Sequence, residues 1–265
     1  MSCLKNSRER LPSRIALDIS SYCNLSCAFC PRHCYEHVDD YMPIPLIEDI
    51  MSQLNGSSTV IWGWRGEPLT HPEFDRIWTH TRPRDTNILI TNGILAPEKM
   101  SAPLDIHVWD VISVSIHSPE SWAGFEHLWR LREKADLKKP KLCVTRLIFE
   151  PEFPVSECMP DERRVYEEHT IDCKWGKVEG KDFEWQECCQ RLDTDLCVSS
   201  EGYASRCCYV WDAMPLSFRD MNIEEIWSSP DLVYLSTHYP DAICRECSQW
   251  EGHGKSLGLS PSLTK

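Results

Sequence analysis

Short apolar runs rich in β-branched residues recur at residues 15–20, 59–62, 87–91, 108–116 and 142–149, and amphipathic segments fall between or after most of them. Helices are predicted over 44–54, 72–81, 119–134 and 161–169, each opened by proline, serine or acidic residues of the kind a first turn accepts. This alternation of strand and helix predicts a parallel sheet with helices outside it, either open or curled into a barrel. Over 150–187 the pattern weakens and acidic residues outnumber basic ones by twelve to five, as on a solvated face. From about residue 185 the texture changes to closely spaced cysteines, a hairpin expected through Ser199, Ser200, Glu201 and Gly202, and a short helix near 223–227. The expected organisation is therefore a barrel at 1–180, a small domain at 181–250, and a polar, Gly/Ser-rich tail at 251–265 that is expected to be disordered.

Composition narrows the function classes. A chain of 265 residues, 42% hydrophobic with 11 tryptophans, can bury a barrel-sized core, and core packing accounts for the tryptophans most simply. A net charge of −13 without a lysine or arginine run predicts no nucleic-acid partner. No stretch approaches the roughly 20 apolar residues of a membrane helix, and the start MSCLKNSRER lacks the apolar core of a secretory signal, so a cytoplasmic protein is expected. In that compartment the 15 cysteines read as reduced thiols, about half of them metal ligands. Cys3, Cys34, Cys143, Cys158, Cys173 and Cys197 read as small buried hydrophobes.

The sharpest motif is Cys23-Asn24-Leu25-Ser26-Cys27-Ala28-Phe29-Cys30, directly after the first predicted strand. Loops leaving the carboxyl ends of barrel strands are where active sites collect. Three thiolates on a four-iron cluster leave one iron without a protein ligand, and an open position distinguishes a reactive metal site from a structural one. Trp64-Arg65-Gly66-Glu67-Pro68 closes the next strand, a turn able to offer carbonyls and a carboxylate to an ammonium group. Thr91-Asn92-Gly93 and Ser113-Val114-Ser115-Ile116-His117 end the two strands after it, while His71 before Pro72 reads as a helix-start residue.

These residues together resemble the radical S-adenosylmethionine (SAM) superfamily. The resemblance implies a partial (β/α)6 radical SAM barrel of the α/β class. It also implies a 4Fe-4S cluster on Cys23, Cys27 and Cys30, with SAM chelating the open iron. Phe29 would then lie near the adenine, Gly66, Glu67 and Pro68 would receive the SAM amino group, and Ser115 would lie near the ribose. Arg65 departs from the family's Gly-Gly-Glu-Pro pattern.

A second cysteine group comprises Cys189, Cys207, Cys244 and Cys247 and is similar to the SPASM/twitch extension of that superfamily, in its shorter twitch form of β-hairpin and helix. Four thiolates there could close an auxiliary 4Fe-4S cluster, or hold zinc. Cys188 and Cys208 adjoin two of them and remain alternatives by spacing.

The resemblance implies a radical SAM oxidoreductase in which SAM is cleaved reductively and the resulting deoxyadenosyl radical abstracts hydrogen from a substrate C–H bond. The electron for SAM cleavage would come from a low-potential donor such as flavodoxin or ferredoxin, and after hydrogen abstraction the substrate would lose a proton and pass one electron to the auxiliary cluster. With 22 residues before Cys23, a small alcohol or sugar-like substrate is expected ahead of a peptide. The alternatives are a peptide-modifying maturase and a non-catalytic iron-sulfur or zinc module. Arg146, on a strand expected to face the barrel interior, is a candidate base or anion-binding residue.

Overall fold

The computed structural model describes residues 11–28, 30, 32, 38–147, 157–166, 191–205, 207–208 and 214–237. Six strands rise in sequence order: β1 (Arg14–Leu17), β2 (Thr59–Trp62), β3 (Thr86–Thr91), β4 (Val111–Ser115), β5 (Lys141–Leu147) and β6 (Glu162–Tyr166). Helix α1 (Ile44–Gln53) precedes β2. The short α2 (Phe74–Ile77) precedes β3, α3 (Ala96–Lys99) and α4 (Pro103–His107) precede β4, and α5 (Pro119–Lys134) precedes β5. After them come α6 (Arg191–Thr194), β7 (Asp195–Val198), β8 (Ala204–Ser205), α7 (Ile223–Trp227) and α8 (Pro230–Thr237).

Among the described residues, eight strands join one sheet in the order β6-β5-β4-β3-β2-β1-β7-β8, and of these strand pairings only β7–β8 is antiparallel. The sheet has two ends, β6 and β8, and curls as an incomplete barrel with helices outside. The expected α/β partial barrel is the observed architecture.

Both faces of the sheet are covered, which parallel strands require because their crossovers lay helices over them. Ile15, Leu17, Val60, Trp62, Leu89, Ile112, Val114, Leu142 and Val144 pack with the helices in the larger core. Ala16, Ile61, Ile88, Val111, Cys143 and Cys197 form a smaller cluster on the opposite, interior face. Cys143, Cys158 and Cys197 are buried, in keeping with their reading as small hydrophobes; Cys3, Cys34 and Cys173 lie outside the described residues. Trp62 and Trp109 meet edge to face at 5.9 Å, Phe74 stacks on Trp109, and all three are buried. The hairpin through 199–202 and the helix at Ile223–Trp227 form as expected.

Within the segment expected as a helix at 161–169, Glu162–Tyr166 form strand β6 instead, and 167–169 lie outside the described residues. The acidic residue read as a helix start is committed to the sheet: Asp161 donates its amide to the Leu142 carbonyl at 2.8 Å, accepts from the Leu142 amide at 2.6 Å, and pairs with Arg132 of α5. Sheet pairing at an open edge overrides local propensity. The helix expected over 72–81 is cut into α2 and a 3-10 turn at Trp78–His80.

One close approach couples α5 to the sheet. Gly93 follows β3 with φ +76°, and a Cβ on Gly124 would overlap its carbonyl oxygen. Gly124→Ala is expected to lower stability by about 1–3 kcal/mol, the usual cost of overpacking against main chain. Denaturant melts of the two proteins check this; equal midpoints would refute it.

Candidate functional site

The site is built where β1, β2, β3 and β4 end. At the end of β1, Asp18 is fully buried, and the Ser20–Tyr22 main chain leads into the cysteine loop. At the end of β2, Gly63 takes φ +122°, a left-handed conformation that glycine adopts without strain, and the chain turns through residues 64–67. Gly66 sits so close to the Ser20–Tyr22 backbone that a Cβ would overlap the Ser20 and Tyr22 carbonyl oxygens. The Glu67 amide donates to the Tyr22 carbonyl at 2.8 Å. Sequence-distant halves of the motif therefore meet main chain to main chain.

Cys23, Cys27 and Cys30 are each half-buried, unlike the core thiols. The Cys30 amide donates to the Cys27 carbonyl at 2.9 Å, folding the loop back on itself, and the Leu25 amide points at the Cys23 sulfur at 3.5 Å. Burial raises the Cys23 thiol above the ordinary cysteine value, with the Leu25 amide and Arg32 opposing and Glu67 and Cys30 adding to the rise. Burial likewise raises Cys30. Metal loading at these thiols must displace protons.

Among the described residues, no three His, Cys, Asp or Glu side chains gather as around a single metal ion. Three half-buried thiols on one loop are the soft donor set that suits an iron-sulfur cluster. The flush Gly66 contact supplies the other half of the fit, a half-buried turn set beside that loop.

Glu67 is buried and turned inward. One carboxylate oxygen accepts from the Leu69 amide at 3.0 Å and the Thr91 hydroxyl at 2.6 Å, and the other from the Asn92 amide at 2.6 Å. Burial pushes the Glu67 carboxyl up to about 7, against the opposing pull of Asn92, Thr91, Leu69 and the charge of His117. Its carboxylate therefore ties the end of β2 to the end of β3, and the groups the turn has to offer a ligand are its peptide groups. Asn92 carries the connection onward, donating to the Asn24 side chain at 2.7 Å with the Cys23 sulfur at 4.0 Å.

Ser115 ends β4 on the interior side shared with Val111, half-buried. Pro68 is buried in the 3-10 turn that Glu67 caps. His71 is buried, with one ring nitrogen on the Met42 carbonyl at 3.0 Å and the other accepting from the Glu73 amide at 3.1 Å, the helix-start role expected of it. Arg146 differs from expectation: strand alternation places it on the face of β5 that carries Leu142 and Val144, which pack toward the helices, while Cys143 belongs to the interior cluster. Phe29, Cys188, Cys189, Cys244 and Cys247 lie outside the described residues; Cys207 and Cys208 are described and half-buried.

Sequence reasoning passed over Asp18 and Trp64. Asp18 was legible as a lone acid inside an apolar strand run. The Trp64 indole donates to the Cys208 carbonyl at 2.7 Å, a contact between segments whose spacing carries no sequence signal.

Residues 17–142 match the radical SAM superfamily. Among solved structures, BtrN in complex with AdoMet and 2-DOIA is 16% identical, with a TM-score of 0.63 over 90% of this chain and 94% of that one. Streptococcus suis SuiB bound to S-adenosylmethionine is 13% identical, with a TM-score of 0.60 over 92% of this chain and 72% of that one. Polyhistidine-tagged anSMEcpe with bound AdoMet is 15% identical, with a TM-score of 0.55 over 90% and 86%. These likenesses are of fold. A search of the curated proteins gave no match. Among the described residues no helix is long and apolar enough to cross a membrane.

The raised Glu67 carboxyl has a definite pH signature. The folded protein holds this proton more tightly than the unfolded chain, so the group's contribution to stability is greatest at low pH and falls as pH rises from about 4.5 toward about 7. Glu67→Gln removes that dependence while opposing an amide to the Asn92 N–H. The substitution is therefore expected to cost most near pH 5 and least above pH 7 in metal-free protein. Paired melts across that range check it; a penalty that grows with pH would show that the ionised form is the favoured one.

Proposed function

We propose that this protein, whose residues 17–142 match the radical SAM superfamily, is a radical SAM oxidoreductase acting on a small alcohol or sugar-like molecule. When bound, a 4Fe-4S cluster and SAM supply a deoxyadenosyl radical able to take hydrogen from an unactivated substrate C–H bond. Cys23, Cys27 and Cys30 are the cluster ligands in this reading. The peptide groups of turn 64–67 orient the amino-acid end of SAM, and Phe29 and Ser115 border its nucleoside.

The observation that carries the reading is the flush contact of Gly66 with Ser20 and Tyr22, which sets the turn beside the cysteine loop. Orientation of this kind is the protein's main contribution where the cofactor holds the reactivity. Asn92 and Asn24 brace the loop from the β3 side.

Cys189, Cys207, Cys244 and Cys247 are proposed to hold an auxiliary 4Fe-4S cluster in a small C-terminal domain. A four-cysteine cluster has no open iron, and its role here is to take one electron from the substrate radical, which also loses a proton, to give the oxidised product. The small-molecule reading is supported by the extent of the likeness to BtrN, whose structure holds 2-DOIA and which is matched along 94% of its length. A peptide reading has its own support in SuiB bound to the precursor peptide SuiA. The reducing electron for SAM is assigned to a flavodoxin or ferredoxin.

Reconstituted under anaerobic conditions, the protein is expected to carry about eight irons per chain. With SAM and dithionite it should release deoxyadenosine and methionine. Cys23→Ala should lower iron to about four per chain and abolish cleavage. Absence of cleavage by cluster-replete protein overturns the proposal, and zinc without labile sulfide at the second group replaces the auxiliary cluster with a structural site. Deuterated candidate substrates then decide between the classes, by which of them transfers label into deoxyadenosine.

A further inference from the structure

Asp18 is fully buried immediately beyond β1 and is used by none of the chemistry above. It lies two residues after Ala16, and so on the interior face of the strand. Its Oδ1 accepts from the Arg65 amide at 3.1 Å. The amides of Gly66 and Ser200 also lie close enough to favour its charged form, and the Arg65 guanidinium favours it further. Its Oδ2 has no hydrogen-bond partner among the described residues. The site thus keeps a carboxylate in a dry position at a cost, since burial outweighs these favourable contacts and pushes its carboxyl up to about 6.

What that carboxylate holds is the middle of the turn, between two other anchors. On the far side of Gly66, the Glu67 amide is bonded to Tyr22 and the Glu67 side chain to β3. On the near side, the Trp64 indole reaches Cys208. Between them, the peptides of Arg65 and Gly66 face Asp18. Arg65, where the family's pattern has glycine, is accommodated in the same arrangement: its guanidinium stacks 4.1 Å over the Trp64 ring, and its charge is met by Asp18.

We infer that Asp18 is a positioning residue for SAM binding, its carboxylate fixing the Arg65–Gly66 peptides in the turn that seats SAM and joining that turn to the corner at Ser200. The inference rests on the assignment of turn 64–67 to SAM. Asp18 acts through the main chain of the turn and does not touch the reacting atoms. Its removal should therefore weaken SAM binding more than cluster loading, since its carboxylate faces the Arg65, Gly66 and Ser200 amides.

The test uses reconstituted full-length protein, with Asp18→Ala and Asp18→Asn beside the wild type. Iron content, melting temperature, equilibrium SAM binding and the change in the reduced cluster's EPR signal on adding SAM are measured first. Deoxyadenosine formation with dithionite is then followed against SAM concentration. Asp18→Ala is expected to weaken SAM binding more than tenfold at unchanged iron content, with the loss in KM rather than in kcat. Asp18→Asn, which keeps an acceptor for the Arg65 amide, is expected to recover part of the loss. If Asp18→Ala fails to fold, Asp18→Asn alone decides, with an expected loss of about three- to tenfold. Wild-type SAM affinity in a folded variant, or a fall in kcat with KM unchanged, overturns the inference. Failure of the wild type itself to bind SAM would instead overturn the functional assignment beneath it.

Discussion

The main chain at Gly66 lies against the main chain of Ser20–Tyr22 with no room for a side chain between them, and the rest of the site depends on that contact. Strand ends in a parallel sheet are ordinarily separated by the side chains of their loops. Here the second strand's turn touches the first strand's exit directly, and the Glu67 amide bonds to the Tyr22 carbonyl at the junction. A single such bond contributes only about 1 kcal/mol net. Its effect on the site is larger because both partners are anchored to strands of one sheet, so the junction transmits the sheet's rigidity to the cysteine loop.

Glu67 shows how the junction is kept. Burying a carboxyl costs several kcal/mol unless hydrogen bonds replace the lost water. Three donors, Leu69, Thr91 and Asn92, do so, and two of them belong to the end of β3. Asn92 then reaches back to Asn24 beside Cys23. The connections run in a ring, from the β1 exit to turn 64–67, through Glu67 to the end of β3, and back to the cysteine loop. A ring of short polar links resists displacement at any one member more than a row of independent contacts would. A surface glutamate could not take this part, because water would compete for each donor.

Much of the fold was legible because parallel strands covered on both faces leave long apolar runs, as at 59–62 and 87–91, and because proline and serine mark the starts of α1 and α5. The cysteine triad and Gly66-Glu67-Pro68 were legible for a related reason: their chemistry depends on local residue type and order. Sequence reading failed where a residue's role is set by a partner far along the chain. Asp161 looks like the first residue of a helix until Leu142 and Arg132 claim both its amide and its carboxylate. Arg146 was expected to face the interior, yet it falls on the helix side, because period-two alternation reverses with a shift of one residue and nothing in 142–149 fixes the register. Asp18 belongs with these, since its meaning lies in the amides of Arg65, Gly66 and Ser200.

The same consideration bears on how the two cysteine groups relate. By composition the chain changes character near residue 181, yet sheet bonds run across that change, for β7 pairs in parallel with β1 along its whole length. Beyond the strands, the Asp18 amide donates to the Val198 carbonyl at 2.9 Å and the Ser200 hydroxyl to that of Ser21 at 3.2 Å. With the Trp64 bond to Cys208, the later segment meets the rim of the first cysteine loop at three separate points. The Cys208 main chain, next to Cys207, is thereby held against the turn at 64–67. On the proposed two-cluster reading, such an anchor suits electron transfer, because a hydrogen-bonded contact to the turn holds one candidate auxiliary ligand segment in place.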